Sequence, residues 1–156
     1  MNPSQRPNKS TLELLGDLPT PVLKGEAIIL GFLGHSSAAK WTRNSMADLI
    51  LNPLMGEIDK LPNILLIPTE GNTSTLLQIW AERMNIEYQA IDSDWTRLGR
   101  RARALRDGRI LKESTHLVFF LGSRSDYYEK IAIREVKKGR KVFAVDPKTG
   151  TLEEWV

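Results

Sequence analysis

Apolar residues fall into short continuous runs, separated by longer stretches in which they recur every three or four positions. The runs are Ala27–Leu33, Asn63–Ile67, Leu117–Leu121 and Val142–Val145, and Ile86–Ile91 reads as a further strand of weaker apolar character. A continuous run is the pattern of a parallel strand covered on both faces, and the three-to-four recurrence marks a helix with one buried stripe. After the first run, Met46, Leu49 and Ile50 predict a helix stopped by Pro53, and Leu54, Ile58 and Leu61 a second short one. After the second run, Ser74 or Thr75 is the expected N-cap of a helix burying Leu76, Ile79, Trp80 and Met84. Tyr128, Ile131, Ala132 and Val136 predict a helix capped by Ser125 or Asp126 and closed by Gly139. Such alternation predicts an α/β fold: an open parallel sheet of about five strands with helices on both faces.

A length of 156 residues suits one domain. Residues 1–24, interrupted by Pro3, Pro7, Pro19 and Pro21, predict an extended lead-in with room for one helical turn at Thr11–Leu15. Residues 25–156 form the domain. Met1–Ser10 has no apolar stretch of signal-peptide type, and no run approaches membrane-span length. A soluble cytoplasmic protein with no membrane partner is expected. Cysteine is absent, which excludes disulfides, thiolate metal sites and cysteine nucleophiles. The net charge of +3 mildly favours anionic partners. Its distribution says more, because Arg97, Arg100, Arg101, Arg103, Arg106 and Arg109 share one segment whose only acid is Asp107.

Ligands of open parallel sheets bind outside the carboxyl ends of the strands. Three predicted strand-to-helix loops lie there, and all are rich in small polar residues. The first contains Gly34, His35, Ser36 and Ser37; the second Glu70, Gly71, Asn72, Thr73 and Ser74; the third Gly122, Ser123, Arg124 and Ser125. Each alone reads as a turn with an N-cap. Together at one edge they predict a site in which backbone amides and helix dipoles receive an anion. A helical projection places Leu98, Ala102, Leu105 and Arg109 on one side and Arg97, Arg100 and Arg101 opposite. Arg106 flanks the apolar stripe and is the arginine expected to reach the crevice and grip phosphate. Arg100, Arg101 and Arg103 are expected to face water. Lys40 and Trp41, after the first loop, could line the pocket.

Other chemistry is sparse. Neither G-x-G-x-x-G nor G-x-x-x-x-G-K-[ST] occurs, so no dinucleotide cofactor is expected. His35 and His116 lack ligand spacing, so no metal is expected. Ser36 lacks the surroundings of a serine nucleophile.

Asp94-Trp95-Thr96-Arg97-Leu98-Gly99-Arg100, followed by Leu105-Arg106-Asp107-Gly108-Arg109-Ile110-Leu111, resembles the D-W-x-x-x-G-(K/R) … I-R-N-x-x-M segment of the YspA-type, YpsA-related branch of the SLOG superfamily. That superfamily also holds the LOG phosphoribohydrolases and the DprA proteins. Pro68–Ala81 resembles its H-G-G-A-x-G-A-D-x-L-A-x-x-W-A element, and Leu117–Ser125 its strand ending in a phosphate loop. The resemblance spans about Ala27 to Val145. It implies a Rossmann-like fold and a pocket for a nucleotide or nucleotide-derived ligand. The P-G-G-x-G-T-x-x-E motif of the phosphoribohydrolase branch is missing, with Gly122-Ser123-Arg124-Ser125 in its place, so hydrolase activity of that branch is not carried over. Pairing is common among such domains, which makes a homodimer an expectation by analogy.

Three readings follow. The first is binding of a nucleotide-like small molecule such as ADP-ribose or another NAD-derived compound. The second is an enzyme acting on an N-glycosidic bond, with Glu70 or Asp94 as the carboxylate that stabilises an oxocarbenium-like centre. The third is a DprA-like nucleic-acid-binding module on the Arg segment. The lack of an aromatic platform argues against the third, Trp95 being expected to pack beneath its loop.

Overall fold

The computed structural model describes residues 27–34, 42–69, 71–122 and 125–156. The 1–24 lead-in with its Thr11–Leu15 turn, and His35, Ser36, Ser37, Lys40, Trp41, Glu70, Ser123 and Arg124, lie outside the described residues.

The strands are β1 (Ile29–Gly34), β2 (Ile64–Pro68), β3 (Glu87–Ile91), β4 (His116–Phe120), β5 (Lys141–Val145) and β6 (Leu152–Trp155). Between them lie α1 (Arg43–Met46), a π-helical turn (Ala47–Leu51), α2 (Asn52–Ile58), α3 (Asn72–Arg83), α4 (Trp95–Leu98), α5 (Arg101–Glu113) and α6 (Tyr127–Lys137). The sheet order is β3-β2-β1-β4-β5-β6. The first five strands are mutually parallel, and β6 pairs antiparallel with β5. The architecture is a Rossmann-like open α/β sheet.

Residues of alternate parity along the strands feed two cores, as the pleat requires. Leu30, Phe32, Leu65, Ile67, Val118 and Phe120 pack with Ile50, Leu54, Leu77 and Trp80 of the helices on one face. Leu66, Leu117, Phe119 and Val142 pack with Ile110, Tyr128, Ile131 and Ala132 on the other. Helices therefore cover both faces. No helix among the described residues is long and apolar enough to cross a membrane.

Several local expectations are corrected. Pro53 does not stop the first helix: α1, the π turn and α2 succeed one another with helical backbone angles at each junction. The Asn52 N–H reaches back five residues to the Ala47 carbonyl. A π turn widens the helix where the proline ring would otherwise press on a carbonyl. It also rotates the buried stripe, so Met46, Ile50, Leu51 and Leu54 are buried while Leu49 is exposed, and Leu61 is exposed because α2 ends at Ile58. The α3 helix starts earlier than expected. Gly71 is its N-cap, at a φ of 102° that suits glycine, so Ser74 and Thr75 are internal. Its stripe is Leu76, Leu77, Trp80 and Ala81, with Met84 exposed and Ile79 only partly covered. The α5 stripe is Ala102, Arg106, Asp107 and Ile110, whereas Leu105 and Arg109 face outward. A satisfied buried ion pair has displaced the leucine that hydropathy alone would place inside. The sixth strand was not anticipated, because Leu-Glu-Glu-Trp is short and half acidic. Gly139, Tyr128, Ile131 and Ala132 stand as expected.

The α5–α6 pair is fixed at its far end by Arg140. Its guanidinium donates to the buried Glu135 carboxylate at 3.0 Å, to the Leu111 carbonyl at 2.9 Å and to the Ser114 carbonyl.

Candidate functional site

Chain order reverses between β1 and β4. The chain moves from β1 outward through β2 to β3, then returns to β4 on the other side. Such a reversal opens a crevice at the carboxyl edge, because the loops leaving the two central strands diverge. The parallel registers put the chain leaving β1, β2 and β4 at this one edge. Both α5 and α6 connect parallel strands, so each begins at the same edge.

Gly34 ends β1 at a φ of 134°, a value that favours glycine. A Cβ there would strike the Phe120 carbonyl oxygen and lie 2.7 Å from its amide nitrogen. The neighbouring strand therefore dictates this glycine. Gly71 and Asn72 are exposed at the start of α3, while Thr73 and Ser74 are buried in its first turn. Gly122 follows β4, and Ser125 Oγ accepts the Tyr127 amide at 3.3 Å. At the end of β3, Asp92 accepts from the Thr69 hydroxyl and from the Ser93 amide, each at 2.9 Å. Ser93 Oγ is buried with no hydrogen-bond partner among the described residues.

Arg106 lies in the seam between α5 and α6, with only 3% of its side chain exposed. Its Nε donates to Asp107 Oδ1 at 2.9 Å, and the Tyr128 hydroxyl donates to Asp107 Oδ2 at 2.8 Å. Burial holds the Asp107 carboxyl above the ordinary carboxylate range, and the Tyr128 hydroxyl and Arg106 guanidinium offset part of that rise. Burial and the Asp107 charge likewise raise Tyr128. This three-residue network ties the middle of α5 to the first turn of α6.

Asp94 serves α4. Its carboxylate accepts from the Arg97 amide at 3.2 Å and from Arg97 Nε at 2.9 Å, and these bonds hold it below the usual carboxylate range. It is an ionised cap on the surface.

The largest departure concerns Trp95. It is 50% exposed, not packed beneath its loop. With Tyr127, 39% exposed, it borders a depression of about 280 Å³ also lined by Arg100, Arg103 and Ala104. Arg100, Arg101 and Arg103 face water as expected and form no ion pair among the described residues. The missed signal was helical phase. Tyr127 falls off the Tyr128–Ile131–Ala132–Glu135 stripe, and the four-residue helix that carries Trp95 buries none of its residues. Among the described residues no cluster of metal-ligating side chains occurs.

Comparison with protein-family models, with the curated proteins and with the solved structures gives no match to this chain.

Proposed function

We propose that the chain binds a nucleotide or nucleotide-derived ligand, such as ADP-ribose or another NAD-related molecule, at the carboxyl edge of the sheet. The observation that carries this reading is the reversal of strand order between β1 and β4, with small-residue segments leaving β1, β2 and β4 at that edge. Three water-facing guanidinia beside it favour an anionic ligand. The resemblance to the YspA-type branch of the SLOG superfamily points the same way. Cleavage of an N-glycosidic bond draws less support, because Asp94 is engaged as a cap and ion-pair partner of Arg97.

Isothermal titration with AMP, ADP-ribose, NAD and ribose 5-phosphate tests the reading. Saturable binding of at least one is expected. Absence of binding by all four refutes it.

A further inference from the structure

A large aromatic side chain left half in water is unusual, because burying it is worth more than burying most other residues. Here two such side chains, Trp95 and Tyr127, come from different helices and border the same depression. The remaining lining is Arg100, Arg103 and Ala104, so its charge is cationic. Another depression of similar size among the described residues, about 310 Å³, is lined by Thr42, Arg43, Asn44 and Arg83 and has no aromatic wall.

The aromatic depression is also braced from below. The Tyr127 ring meets the Tyr128 ring edge to face at 4.9 Å, and Tyr128 is tied to Asp107 and through it to Arg106. Asp94 caps the turn that carries Trp95. The two rings are thus held by buried or capped neighbours before any ligand arrives, which reduces the ordering cost of binding.

Planar π-faces beside guanidinia match a ligand with a flat heterocycle at one end and phosphate at the other. Resting on the nucleotide reading above, we infer that this depression is the base subsite: the heterocyclic base stacks on Trp95 and Tyr127, and Arg100 and Arg103 face its sugar-phosphate. The position fits, since α5 and α6 both begin at the carboxyl edge where the crevice opens.

AMP and ribose 5-phosphate differ by the base alone, so the pair isolates the subsite. Affinities of both are measured for the full chain and for Trp95→Ala and Tyr127→Leu, with a short oligodeoxythymidylate as a third ligand. Both substitutions are at exposed positions, and circular dichroism checks that the variants remain folded. AMP is expected to bind about 5- to 100-fold more tightly than ribose 5-phosphate. Each variant removes most of that advantage and leaves ribose 5-phosphate unchanged. Equal affinity for the two ligands, or full AMP affinity in both folded variants, overturns the base subsite while the phosphate-binding crevice stands. Failure of both ligands to bind overturns this subsite, and the nucleotide reading falls with it when ADP-ribose and NAD also fail. Oligonucleotide binding that far exceeds AMP binding and depends on Trp95 identifies a single strand as the occupant, and that also overturns the inference.

Discussion

Replacing Asp107 by alanine tests whether the buried network truly fixes the α5–α6 seam. Arg106 and Asp107 each expose 3% of their side chains, so the substitution leaves a guanidinium in the interior without its adjacent carboxylate. It also deprives the Tyr128 hydroxyl of its acceptor. Breaking a buried pair from one side costs about 3–5 kcal/mol. Arg106 keeps another interaction, which places the expected loss near the lower bound, about 3 kcal/mol. For a chain of this length that lowers the melting temperature by roughly 6–12 °C. Tyr128→Phe removes one hydrogen bond and leaves an acceptor short, so about 1–2 kcal/mol is expected. Because both act on one carboxylate, the double variant should lose less than the sum of the two. Folding raises the Asp107 pKa, so the folded protein binds this proton more readily than the unfolded chain does. Its contribution is complete below the ordinary carboxylate value and shrinks as pH rises through the raised one. The gap between wild type and Asp107→Ala should therefore widen as pH is lowered. Thermal melts of the three variants across the acid range provide the assay. A melt of Asp107→Ala within about 2 °C of wild type, well short of the shift set by the buried-pair cost, refutes the reasoning.

Gly34→Ala adds a Cβ against the Phe120 backbone at a positive φ. About 2–4 kcal/mol of stability should be lost, and an unchanged urea midpoint would contradict the close β1–β4 approach. Arg140→Ala leaves the buried Glu135 with weaker partners and frees the Leu111 and Ser114 carbonyls. A loss of about 2–3 kcal/mol is expected in the same assay, and a wild-type midpoint would show that the clamp is dispensable. His116 is held below its usual value by burial and by the Lys141 charge, with Glu154 opposing. Its neutral form is favoured by folding, so its contribution is full above a pH of about 6.5 and is lost as pH falls through the lowered value. NMR of the ring protons should give a midpoint below the ordinary one, and a raised midpoint would contradict this.

Four of the five parallel strands were legible because they bury both faces, which leaves continuous runs such as Ile28–Leu33 and Leu117–Leu121. The edge strand β3, with Glu87 and Ala90 exposed, gave a weaker signal. Strand β6 was not legible, because an edge strand with Glu153 and Glu154 turned to water carries no such run. Helix existence was readable but helix phase was not. The π turn before Pro53 adds a residue that turns Leu49 outward, and the Arg106–Asp107–Tyr128 bonds draw charged residues inward where Leu105 was expected. The common edge of the small-residue loops followed from strand alternation alone. The Trp95–Tyr127 depression did not, since it joins residues 32 positions apart through the packing of separate helices.

The central claim is that phosphorylated nucleotides enter at the carboxyl edge of the sheet. Amide NMR spectra recorded during titration with AMP and ADP-ribose test it most directly. The largest saturable shifts are expected on Gly34, Gly71 and Gly122, at or just after the ends of β1, β2 and β4. Shifts centred instead on Asn63, Thr115 and Arg140, where β2, β4 and β5 begin, or no shifts at all, would contradict it.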